Sequence, residues 1–178
     1  MQKVEGSSPF SRFAKSPASL GLPLVVSHQH QTGARMLVMS DTAITGGCLC
    51  GGVRFALSEP PHGAGYCHCT RCQRRTGTAS SAQARIDGRT LRFLQGEDLL
   101  RGWRHPDGGH EKRFCSVCGS HLFSRSPEDP SRVGVRMGAF DGDPRIRPSW
   151  RTYVAYAALW EPIPDDGLER FAEAKPQF

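Results

Sequence analysis

The chain has 178 residues, room for one domain or for one domain and a tail. Its 38% hydrophobic and 22% charged residues are ordinary globular composition, and 23 Lys and Arg against 17 Asp and Glu give a formal charge of +6. No run of about 18 apolar residues occurs, so no membrane-spanning helix is expected, and 20 Gly with 13 Pro argue against a helical bundle or coiled coil.

Residues 1–40 differ in composition from the rest. Ser7-Ser8-Pro9-Phe10-Ser11 and Ser16-Pro17-Ala18-Ser19 are rich in Ser and Pro, and His28-Gln29-His30-Gln31 lacks periodicity. The apolar island Leu20 to Val26 is broken by Gly21 and Pro23 and is followed by His28 and Gln29 instead of a small-residue cleavage site, which does not fit an export signal. The reading is a disordered extension, with a true start at Met36 or Met39 as a further hypothesis. Residues 41–178 read as the folded domain, and a cytoplasmic location is expected.

From Asp41 onward, short segments of period two alternate with Gly-rich turns. Val53, Phe55 and Leu57 alternate with Arg54 and Ala56; Ala82, Ala84 and Ile86 with Gln83 and Arg85; Leu91 and Phe93 flank Arg92. Asp107-Gly108-Gly109 signals a turn before a segment ending at Phe114. Val133, Val135 and Met137 form another alternation, and Tyr153 to Tyr156 reads as a further strand. Thr70 to Thr76, closed by Gly77, is the one helix candidate. Strands of this length at this spacing predict a mostly β domain.

All seven cysteines fall in this part, as Cys48-Leu49-Cys50, Cys67-His68-Cys69-Thr70-Arg71-Cys72 and Cys115-Ser116-Val117-Cys118-Gly119. Disulfides would leave one thiol over, and nothing indicates an oxidising compartment. Turns with Gly after the second Cys let two thiolates converge on one ion, so metal binding suits the spacing; zinc is favoured, with iron–sulfur as the competing metal. The middle cluster is compact enough to chelate one ion alone, which leaves the outer pairs for a closed four-sulfur site. Seven ligands therefore suit one closed site and one open, three-thiolate site. The alternative is a fourth ligand from His68, His110 or His121. His68 lies between two ligands, so its side chain is expected to point away.

The +6 charge is weak evidence for nucleic acid. Residues 1–35 hold half of it, and seven thiolates on two Zn²⁺ would cancel the remainder. Arg residues are spread singly among acids, with no basic and aromatic stripe.

Together, Gly47-Cys-Leu-Cys-Gly-Gly-Val-Arg-Phe55, Cys67-His-Cys-Thr-Arg-Cys-Gln-Arg-Arg-Thr-Gly77 and Phe114-Cys-Ser-Val-Cys-Gly-Ser120 resemble the glutathione-dependent formaldehyde-activating enzymes. That family also includes the zinc domain of centromere protein V. The resemblance spans about Ile44 to Phe171. It implies a small Mss4-like zinc domain of stacked short antiparallel sheets. It implies two Zn²⁺ per chain, a structural one on Cys48, Cys50, Cys115 and Cys118 and a catalytic one on Cys67, Cys69 and Cys72. It implies a carbon–sulfur lyase acting on an S-hydroxymethylglutathione-like adduct of glutathione and formaldehyde. The C-terminal part departs from the pattern: where members often carry His-Ile-Phe-Val before a Trp, this chain has Arg151-Thr152-Tyr153-Val154, and Glu169 stands where Pro is common.

A zinc held by three thiolates is a poorer Lewis acid than one on three histidines, so thiol binding is favoured over water activation. Glutathione carries two carboxylates, for which Arg71, Arg74 and Arg75 are candidate partners and Arg151 a weaker one. His105 and His110 read as surface residues, and Trp103, Trp150 and Trp160 as core or pocket wall. The competing function is a non-catalytic zinc domain that binds a protein or nucleic-acid partner.

Overall fold

The computed structural model describes residues 44–176. The expected extension over residues 1–40 and the alternative starts at Met36 and Met39 lie outside the described residues.

In chain order the described residues form β1 (Ile44–Gly47), β2 (Arg54–Leu57), β3 (Gly63–Cys67), the helix α1 (Thr70–Thr76), β4 (Ser81–Asp87), β5 (Leu91–Gln95), β6 (Leu100–Trp103), β7 (Glu111–Cys115), β8 (His121–Arg125), β9 (Arg132–Arg136), β10 (Trp150–Thr152) and β11 (Glu169–Arg170). A mostly β domain was expected from the alternations and is what forms. One sheet has the order β1-β2-β5, the other β11-β10-β3-β4-β9-β8-β7-β6. Pairing is antiparallel throughout the small sheet and from β3 to β6, but β10 runs parallel to both β3 and β11. Parallel neighbours need a long connection, here the whole chain between β3 and β10.

The two sheets meet through aromatic side chains. Phe55 on β2 packs edge-on against Phe123 on β8, with centroids 5.1 Å apart, and against Phe140 at 5.9 Å; Phe93 on β5 meets Phe123 at 5.7 Å. Val53, Phe55, Leu122 and Val135 are fully buried around them. Edge-to-face rings add about 0.5–1.5 kcal/mol per pair to the burial itself. Cys48 and Cys115 belong to this same core, so one thiol cluster is part of the packing that holds the sheets together.

α1 has the predicted bounds. Cys69 caps its N-terminus in extended conformation, and Gly77 closes it at φ +68°, donating its N–H to the Gln73 carbonyl at 2.8 Å. That left-handed closure is what glycine permits at low cost.

One expected strand is not a strand. Tyr153 takes φ +58°, and Val154–Tyr156 is a single 3₁₀ turn. The physical reason lies outside the segment. The N–H groups of Tyr153 and Val154 donate to the carbonyls of Glu173 and Phe171, at 2.9 and 3.1 Å, and the Gln73 side-chain amide donates to the Tyr156 carbonyl at 2.7 Å. These tertiary bonds outweigh local β propensity. The same amide donates to the His68 carbonyl at 2.6 Å, so Gln73 ties this turn to the chain entering α1. No helix among the described residues is long and apolar enough to cross a membrane.

Candidate metal centres and a basic cavity

The cysteines gather into two groups. Cys48, Cys50, Cys115 and Cys118 have their four sulfurs within 4.8 Å of one another, and so do Cys67, Cys69 and Cys72. No histidine nitrogen or carboxylate of the described residues joins either group. His68 is nearly buried and turns its Nε2 to Arg151 Nη1 at 3.3 Å, so it points away from the thiols as its position between two ligands suggested.

The four-thiol group is built on two turns. After β1, the Cys48 N–H bonds the Val53 carbonyl at 3.1 Å, and Gly51 takes φ +75°. Between β7 and β8, the Gly119 N–H bonds the Cys115 carbonyl at 2.9 Å, with φ +73° at Gly119. Ser120 joins the two turns: its Oγ accepts the Leu49 N–H at 3.0 Å and lies 3.2 Å from Cys118 Sγ. The Val53 N–H donates to Cys48 Sγ at 3.1 Å, as a backbone amide does toward a thiolate. Sulfur separations of 3.4 Å (Cys48–Cys50) and 3.9 Å (Cys50–Cys115) suit four ligands of one tetrahedral ion.

The three-thiol group straddles the junction of β3 and α1. Cys67 ends β3, Cys69 is the helix cap, and Cys72 lies in the first turn, where its N–H bonds the Cys69 carbonyl at 2.9 Å. Hydrogen bonds from Cys67 and Cys72 hold Cys69 down to about 2, whereas Cys67 is pushed far up, first by its contact with Cys69, then by Cys72 and by burial. Three converging thiols can thus hold one negative charge among themselves. A second and third charge require a cation, which is what a divalent metal supplies. The donor set fits zinc with three protein ligands.

Arg136 on β9 lies beneath this group. It is buried, hydrogen-bonded to Ser81 Oγ, faces the charges of Cys72 and Cys67, and leaves its Nε without a partner.

Cys67, Cys69 and Cys72 line a cavity of about 540 Å³, within the range of small-molecule sites. Tyr153, Tyr156 and Trp103 supply its aromatic surface. Burial, then the charges of Cys67 and Cys69, pushes the Tyr153 phenol above its ordinary value and keeps it a donor. His105 and His110 line this cavity as well; His121, the other histidine considered as a ligand, lines a second cavity beside Cys48.

The four candidate arginines separate. Arg71 lines the cavity but is engaged, donating to the Gly108 carbonyl and Asp107 Oδ2, each at 3.2 Å. Arg75 lines it with both Nη atoms buried and without hydrogen-bond partners. Arg74 is exposed on the helix, outside the lining. Arg151 is buried away from the cavity, paired with Asp166 and lying 4.4 Å over the Tyr66 ring.

Sequence reasoning passed over Arg85, Lys112, Arg132 and Lys175, which also line the cavity. Arg85 occupies a polar position of a predicted strand, where a solvated side chain is the default reading, and Arg132 precedes the alternation that begins at Val133. Only the sheet order, which sets β4 beside β9, brings them together.

Comparison with known proteins finds relatives in sequence. The family described as glutathione-dependent formaldehyde-activating enzyme matches residues 43–156. A Halomonas elongata protein that carries the same family's name is 31% identical over 105 residues, covering 56% of this chain and 67% of the relative. A crystal structure of a Rhodobacter sphaeroides protein is 29% identical, covering 57% of this chain and 92% of its own, with a TM-score of 0.44. With all three cysteine groups inside the matched span, this chain belongs to the glutathione-dependent formaldehyde-activating enzyme family.

Proposed function

We propose that the chain is a cytoplasmic, zinc-dependent carbon–sulfur lyase acting on an adduct of a glutathione-type thiol and an aldehyde, of the S-hydroxymethylglutathione kind. Cys48, Cys50, Cys115 and Cys118 hold a structural Zn²⁺; Cys67, Cys69 and Cys72 hold a second. The observation that carries the reading is a three-thiol group, with no fourth protein ligand among the described residues, in the wall of a cavity rich in cations. When bound there, zinc supplies an electrophilic centre with one position left, at which a substrate sulfur is favoured as thiolate.

The chain's own residues do the rest. Formation of the adduct joins sulfur to the aldehyde carbon and places a proton on the aldehyde oxygen; cleavage reverses both. Tyr153, a phenol held in its protonated form in the cavity wall, is the group assigned to exchange a hydrogen bond with that oxygen. Arg75 is assigned to a substrate carboxylate, because it lines the cavity beside the three thiols. Trp103, Tyr153 and Tyr156 give the substrate an apolar surface to lie against. Thiols and formaldehyde also combine unaided, so the acceleration asked of these groups is modest.

A nucleic-acid-binding role draws less support, since the basic side chains gather in a recess beside the thiols and not along an exposed stripe. Metal analysis of a Cys69→Ser variant tests the proposal. The expected result is one zinc per chain where the parent holds two; two in the variant overturns the three-thiol assignment. In the cobalt-substituted protein, glutathione should shift the thiolate-to-cobalt absorption.

A further inference from the structure

We propose that Lys112 is a nucleophilic amine that captures the aldehyde, as a reversible carbinolamine, in the cavity beside the three thiols. The inference rests on the lyase reading for the class of substrate and deepens it by assigning the place of the carbonyl carbon.

Two lysines line the cavity, and their surroundings differ. Lys175 is engaged: it donates to Glu169 Oε2 at 2.8 Å and lies 4.9 Å from the centroids of both the Trp150 and the Phe171 rings. Lys112 forms no hydrogen bond or ion pair among the described residues. It is partly buried on β7, opposite Trp103 of β6 and Ser124 of β8. Among the described residues no carboxylate lines the cavity, so no acid there holds this amine as an ammonium ion.

The charges around Lys112 act in the same direction. Burial lowers it most; Cys72 opposes the fall, Arg136 and Arg75 add to it, and Cys67 opposes it. His110 faces Lys112 from the same wall. A lysine desolvated beside other cations is the kind that attacks carbonyls as the free amine. The step needs no oxidant or reductant. The Nζ lone pair forms a bond to the aldehyde carbon while the carbonyl π pair moves to oxygen. A proton then passes from nitrogen to that oxygen, the atom assigned to Tyr153, and the product is a carbinolamine. Reversal breaks the N–C bond, returns the proton and releases the aldehyde inside the cavity, where the substrate sulfur is the next nucleophile. Loss of the same oxygen as water gives the imine, the form that can be trapped.

The test is reductive trapping in the zinc-loaded full chain, with no thiol present. Isotopically labelled formaldehyde and sodium cyanoborohydride turn an imine into a stable methylamine, and peptide mapping compares Lys112 with Lys3, Lys15 and Lys175. At neutral pH Lys112 should label about tenfold faster than Lys175. Labelling of Lys112 no faster than that of Lys175 overturns the proposal. Kinetics give a second readout. Lys112→Arg keeps a long stem and a charge but removes the nucleophile. It should raise KM for formaldehyde about tenfold and leave KM for glutathione near the parent value. An unchanged KM for formaldehyde also overturns the capture. The underlying reading fails separately. If glutathione leaves the spectrum of the cobalt-substituted protein unaltered while Lys112 still labels, the lyase assignment falls and the aldehyde site stands. A spectral shift without labelling of Lys112 removes the aldehyde site alone.

Discussion

The two cysteine groups use one ligand type for opposite ends. The four-thiol group closes on itself: two turns, linked by Ser120, place all four sulfurs together, and two of its members sit in the hydrophobic core. The three-thiol group is contiguous in sequence, opens into a cavity and is surrounded by cations. A full ligand set joined to the core makes a staple. A set one ligand short among the described residues, facing a cavity, fits the proposed reaction site. The lesson is that ligand count and surroundings together, and not cysteine as such, assign the roles.

The largest effect should come from the staple. Cys115→Ala removes a fully buried ligand, which should cost on the order of 5 kcal/mol in denaturant unfolding and reduce the bound metal. A variant that stayed as stable as the parent would abolish the contrast between the sites. Cys69→Ser, in the reaction site, should lower kcat/KM at least about a hundredfold while shifting the unfolding midpoint far less than Cys115→Ala does. Equal losses of stability would mean that both groups are staples. Tyr153→Phe should reduce kcat by about tenfold or more with KM nearly constant, measured at saturating substrate. An unchanged kcat removes Tyr153 from the reaction.

The smallest catalytic effect is expected at Arg151, where the family pattern often has His. Because Arg151 is buried on Asp166, His68 and Tyr66 and does not line the cavity, Arg151→Gln should lower the melting temperature but leave KM close to the parent value. The ion pair also carries a pH signature. The hydrogen bond from Arg151 holds the Asp166 carboxyl below its usual range. The pair therefore stabilises the fold above the unfolded value of about 4 and ceases to do so as the pH falls through the lower folded value. The melting difference between parent and Arg151→Gln should be full at neutral pH and shrink below about pH 4. A difference that persisted into acid would show that packing on Tyr66, not charge, is what Arg151 contributes.

Much of this was legible in the chain. Alternation located β2, β4, β5 and β9, and the distribution of seven thiols into four and three followed from spacing. α1 was readable because its beginning and end are both local: a cap at Cys69 and a glycine at Gly77. The turn at Tyr153 was not, because its determinants are the Gln73 amide and carbonyls of residues 171 and 173, remote in sequence. The basic wall was hidden for a similar reason. Arg85 looks like the solvated position of a strand, Lys112 and Arg132 carry no signal of their own, and their convergence is a property of sheet order. Arg75 drew attention in the sequence only through its nearness to Cys72; its unpaired nitrogens require coordinates.

One glycine pair ties backbone geometry to the repertoire of the site. Trp150 lies across Gly63 and Gly65 on β3, so closely that a side chain at Gly65 would occupy the indole's space. Arg85 and Lys175 both lie against that indole. A single added methyl group on β3 would therefore displace two charges of the cavity without altering a thiol or a charged residue. Divergence in what such a protein accepts can begin at a residue with no side chain at all.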